Sequence, residues 1–138
     1  MNIDSIFQEN NLSEARILSA SDEIKIPKTW SFLLTEENKG KKKALVIERW
    51  SDFSSLLPKT LHLLDELLED VFLVVHQQQI KMVYLLLVDE EYVLYVGNMP
   101  TTDRQLALFP NKLQHFYKHL HNGWFENISG GLGLLPRS

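Results

Sequence analysis

Apolar and polar positions recur along this chain at two spacings, and each spacing predicts an element. In residues 28–34, Trp30, Phe32 and Leu34 fall on one side, a period of two that predicts a strand. Residues 44–50 alternate again, with Leu45 and Ile47 against Val46. Between them runs Glu36-Glu37-Asn38-Lys39-Gly40-Lys41-Lys42-Lys43, so a hairpin with a charged, solvated tip is expected. Residues 52–70 read as a helix, because Leu57, Leu61, Leu64 and Leu68 recur every three or four positions. Leu63 and Leu67 widen that stripe, Pro58 suits the first turn, and Asp65, Glu66, Glu69 and Asp70 are expected to face water. Residues 71–75, 80–88 and 92–96 predict three strands, with a polar turn at Asp89, Glu90 and Glu91.

The middle strand is apolar on both faces. Val83, Leu85 and Leu87 lie on one, and Met82, Tyr84, Leu86 and Val88 on the other. It is therefore expected at the centre of a sheet covered on both sides, with antiparallel neighbours because the connections are short. Residues 1–25 are weakly patterned, and Ser13 is read as the cap of a short helix through Leu18. Pro110 opens a helix to about His121, with Leu113, Phe116, Tyr117 and Leu120 on one face and Asn122-Gly123 as its cap. The expected fold is a single α+β domain over residues 1–138, with an antiparallel sheet of about five strands. Helices 52–70 and 110–121 pack on that sheet.

Composition narrows the function classes. The chain has 138 residues and no cysteine, which excludes disulfides, thiolate metal sites and a cysteine nucleophile. Its formal net charge is −4. Residues 1–69 carry 9 basic and 12 acidic side chains and the rest 5 and 6, so neither half is a basic module and no nucleic-acid partner is expected. The longest apolar run, Met82 to Val88, is far short of the ~20 residues that span a bilayer. The N-terminus lacks the features of a signal peptide, so a cytoplasmic protein without membrane contact is expected.

Candidate chemistry is sparse. His115 and His119 stand at i and i+4 with His121 nearby, but no carboxylate completes a metal site, and these side chains are expected to point to water. The glycines at 130, 131 and 133 are followed by Leu134-Leu135-Pro136 rather than the Lys and Ser or Thr of a phosphate loop. Ser129, His121 and Asp103 lack the turn that exposes a serine nucleophile. No catalytic residue, metal or cofactor is therefore assigned. Trp124 and Phe125, adjacent aromatics after the cap, either fold back under their loop or leave one exposed as an anchor for a protein partner.

The segment PNKLQHFYKHLHNGWFENISGGLGLLP, residues 110–136, resembles a stretch of SUKH-superfamily proteins. In these a proline opens a helix bearing Phe-Tyr, which ends in His-Asn/Asp-Gly-aromatic before a Gly-x-x-Pro stop. Pro110, Phe116, Tyr117, His121, Asn122, Gly123, Trp124, Ser129, Gly133 and Pro136 carry the resemblance over about one fifth of the chain. It is most similar to bacterial members, relatives of a yeast cell-wall-synthesis regulator, that are encoded beside polymorphic toxins. The resemblance implies a non-enzymatic immunity protein that binds and blocks a cognate toxin, with Phe116, Tyr117, His121, Asn122 and Gly123 in structural roles. In typical members this segment comes early and the sheet follows. Here only Arg137 and Ser138 remain, so either the strands come first or the chain is the N-terminal part of a longer protein.

On this reading Trp124, Phe125, Glu66, Glu69, Asp70, Glu90 and Glu91 are the candidate toxin-binding residues, the acidic ones by charge sign alone. Two other readings stay open. One is a structural or assembly module that forms a homodimer through its sheet edge or the Trp124 loop. The other is a small histidine-based metal protein or enzyme.

Overall fold

A computed structural model of the chain describes residues 3–10, 12, 14–19, 26, 30–53, 58–99, 116, 120, 121, 124–126, 133 and 134. Residues 125, 126, 133 and 134 are described by their backbone only. Helices α1 (Ile3–Glu9), α2 (Phe32–Thr35), α3 (Lys39–Ser51) and α4 (Pro58–Leu67) precede most of the sheet. The strands are β1 (Arg16–Ile17), β2 (Leu68–His76), β3 (Gln79–Val88), β4 (Glu91–Asn98), β5 (Trp124–Glu126) and β6 (Gly133–Leu134). They form one antiparallel meander in sequence order, so the fold is α+β.

The central strand is the one its apolar run predicts. Val83 and Leu85 face one buried cluster, while Met82, Tyr84 and Leu86 face the other. The first cluster lies under α1, through Ile6, Phe7 and the following Leu12. The second gathers Val46 and Trp50 of α3, Leu64 of α4, and Phe116, Leu120 and Trp124 from the C-terminal segment. Two turns join the long strands. Gln77-Gln78 and Asp89-Glu90 all have positive φ, from 49° to 68°, the two-residue geometry whose twist matches that of a hairpin.

Three expectations are corrected. The hairpin over residues 28–50 is instead two helices, α2 and α3. Asn38, expected in a hairpin tip, is the N-cap of α3 and accepts from the Lys41 amide at 3.0 Å. Lys42, Val46, Trp50 and Phe53 are all buried and recur every three or four residues, a helical stripe that the short window 44–50 conceals. The helix expected over 52–70 stops at Leu67, and β2 begins at Leu68 with no loop between. The β-branched and aromatic run that follows favours the strand, and the pairing slips by one residue between Leu68 and Asp70. The short helix capped by Ser13 is replaced by strand β1, which leaves Ile17 exposed and Leu18 buried.

Of the helix expected over 110–121 only three residues are described: Phe116 is helical, Leu120 is in a turn and His121 is outside any helix, while the Gly123 cap falls outside the described residues. The Leu120 and His121 amides both donate to the Phe116 carbonyl. Among the described residues no helix is long and apolar enough to cross a membrane.

Candidate functional site

Among the described residues, two places bring chemistry-bearing side chains together, one interior and one on the surface. The interior one centres on His121, which is completely buried rather than exposed as its polarity suggests. Gly97 of β4 makes room for it: a Cβ at that position would collide with the imidazole ring. Trp30 and Tyr84 flank the ring at centroid distances of 5.3 and 5.6 Å, and Trp50 and Phe116 stand slightly further out.

The hydrogen bonds fix the proton positions. The Asn98 carbonyl, 3.0 Å from His121 Nδ1, can only accept, so Nδ1 carries the hydrogen. Nε2 of the neutral ring is then an acceptor, and the Tyr84 hydroxyl donates to it at 2.5 Å. Trp50 Nε1–H, which can only donate, supplies the Tyr84 oxygen at 3.0 Å. The chain Trp50 to Tyr84 to His121 to Asn98 is thus complete in one protonation state. Burial pushes the His121 pKa down to about 3, against a weaker upward pull from the Asn98 hydrogen bond. Burial likewise raises the Tyr84 hydroxyl far above its ordinary value, partly offset by the bond from Trp50. Both rings are neutral, and both nitrogens of His121 are occupied. This arrangement holds the C-terminal segment against the sheet and has no free base to offer a substrate.

The surface site lies where α1 meets the β3–β4 turn. Ile6, Glu9 and Asn10 form one side and Glu90, Glu91 and Tyr92 the other, around a groove of about 500 Å³. Ile6 is anchored in the core, and the Asn10 amide donates to the Ile6 carbonyl at 2.8 Å, so the helical wall is fixed. A second, more apolar groove of about 460 Å³ runs between α3 and α4, past Ile47, Pro58, Leu61, His62 and Asp65.

The candidate binding residues whose side chains are described do not converge. Glu90 and Glu91 are exposed and share the first groove. Glu66 is exposed on α4, 3.1 Å from His62, and Glu69 is exposed at the irregular start of β2. Asp70, expected in water, is 5% exposed and pairs with Lys42, also buried, at 2.5 Å. Trp124 is 3% exposed and stacks on Tyr95 at 4.2 Å, so it is part of the core and not a surface anchor. Its Nε1 has no hydrogen-bond partner among the described residues. The Phe125 backbone pairs with Val96. Tyr117, Asn122, Gly123, His115 and His119 lie outside the described residues. Among the described residues no three His, Asp or Glu side chains gather to hold a metal ion.

Sequence reasoning missed the partners of His121. Their signal is faint: a lone glycine in an otherwise bulky strand, facing the same way as Tyr84 and Tyr95. No family model, curated protein or solved structure matches this chain.

Proposed function

We propose that this chain is a non-enzymatic, immunity-type binding domain that neutralises a cognate toxin by covering it. The observation that carries this reading is the groove between α1 and the β3–β4 turn. Half-buried Tyr92 gives it apolar surface beside the buried Ile6, and Glu9, Glu90 and Glu91 give it a negative rim. Such a groove suits a basic segment of a folded partner, because complementary charge speeds encounter and fixes register. Its helical wall is held by the buried Ile6 and the Asn10 hydrogen bond, which limits the entropy lost on binding. The similarity of residues 110–136 to the SUKH segment supports the same class, and the internal occupation of both His121 nitrogens fits a structural role for that segment.

The test is titration calorimetry and co-expression with the toxic domain encoded beside this gene. One-to-one binding and rescue of growth are expected. The double substitution Glu90→Lys/Glu91→Lys is expected to weaken binding about tenfold or more while leaving the melting temperature unchanged. If no neighbouring product binds and no growth is rescued, the reading fails.

A further inference from the structure

Helix α4 passes into β2 at Leu68 with no residue between them. The sequence pattern runs on past that point. Leu61, Leu64 and Leu68 form one helical stripe, and Glu66, Glu69 and Asp70 would share the opposite face if the helix continued.

The strand places the same residues by another route. An unbroken period of two would put Glu69 in line with Val71 and Leu73, inside the aromatic core. The pairing instead slips: Leu68 lies opposite Leu86, Asp70 lies opposite Leu85, and Glu69 is left over. Leu68 is thereby buried and Glu69 exposed, as a longer helix would also leave them.

Asp70 is the residue whose surroundings differ between the two courses. In the strand it is buried, whereas on a continued helix it would point to water. Two contacts hold it inside: its carboxylate accepts from the Val71 amide at 2.8 Å and pairs with Lys42 of α3. Lys42 Nζ also donates to the Val71 carbonyl at 3.0 Å, which ties the ammonium to the same residue. A buried carboxylate that loses its cation is strongly destabilising. Loss of the Lys42 charge therefore penalises the strand course at Asp70 and leaves the helical course untouched.

We propose that residues 68–70 are a helix–strand switch, held in its strand state by the Lys42–Asp70 pair. When the pair is broken, α4 runs on through Asp70 and Leu68 stays in the core. The first two rungs of the β2–β3 ladder, Leu68 with Leu86 and Asp70 with Leu85, then open. This inference is independent of the toxin-binding reading.

The experiment reads backbone carbon chemical shifts and cross-strand proton contacts by nuclear magnetic resonance in the full chain. Wild type and Lys42→Arg, which keeps donor and charge, are expected to show strand shifts at residues 68–70. Lys42→Met is expected to show helical shifts there and to lose the contacts of residues 68 and 70 with 86 and 85, while those of Phe72 with Val83 persist. Should that variant unfold, Lys42→Gln, which keeps a donor but removes the charge, takes its place under the same criteria. A folded variant that retains strand shifts at residues 68–70 overturns the proposal. So does loss of every cross-strand contact in both variants, because the pair would then hold the whole sheet and not one junction. Helical shifts at these residues in wild type or Lys42→Arg overturn it as well.

Discussion

His121 satisfies its neighbours in only one protonation state. A second proton would place Nε2–H against Tyr84 and leave the tyrosine hydroxyl hydrogen without an acceptor. The sign of the pH effect follows. The ring has a pKa of about 3 when folded and an ordinary value near 6.5 when unfolded, so below about pH 6.5 the unfolded chain binds the extra proton. Stability should therefore be full above that value and decline steadily as pH falls towards about 3. Urea midpoints at pH 7 and pH 5 should show that decline, and His121→Gln should remove the part of it due to this ring. Tyr84→Phe leaves both the Trp50 N–H and His121 Nε2 without a partner and should destabilise by about 1–3 kcal/mol for each group. Gly97→Ala pushes a methyl group into the imidazole and should cost about 1–3 kcal/mol in the same assay. The polarity of His121 suggests the surface; only its contacts with Tyr84, Gly97 and Asn98, distant in sequence, account for its burial.

At the level of elements, the three long strands were legible because β-branched and aromatic runs between polar turns have few alternatives. The stretch 28–50 was not. Over seven residues a period of two and a period near 3.6 assign similar positions to the core, and the lysine run masked the helix start at Asn38. The candidate site was legible in part. Glu90 lies in the expected exposed turn and Glu91, also exposed, opens β4, whereas Asp70 and Lys42 are drawn inside by a pairing that spans 28 residues. The two tight turns carry an energetic consequence. Side chains disfavour positive φ, and Gln77 and Gln78 both adopt it. Gln77→Asn/Gln78→Gly should stabilise the protein by about 1 kcal/mol, read as a shift in urea midpoint with an unchanged slope.

Across the whole molecule, the sheet is a wall between two cores of unequal composition. The core beneath α1 is built mainly from aliphatic side chains. The other is rich in aromatic rings and draws Phe116, Leu120, His121 and Trp124 from far along the chain. A chain truncated after Pro100 loses all four and bares Trp50 and Tyr84. It should show weak near-ultraviolet circular dichroism and no cooperative unfolding transition.

All three tryptophans of the chain, Trp30, Trp50 and Trp124, sit in that aromatic core. Intrinsic fluorescence therefore watches one side of the wall. Loosening of α1, or a ligand settling beside Glu90, would leave the emission nearly unchanged while calorimetry registered heat. Where the two methods disagree, the gap between them locates the event on the side without indoles.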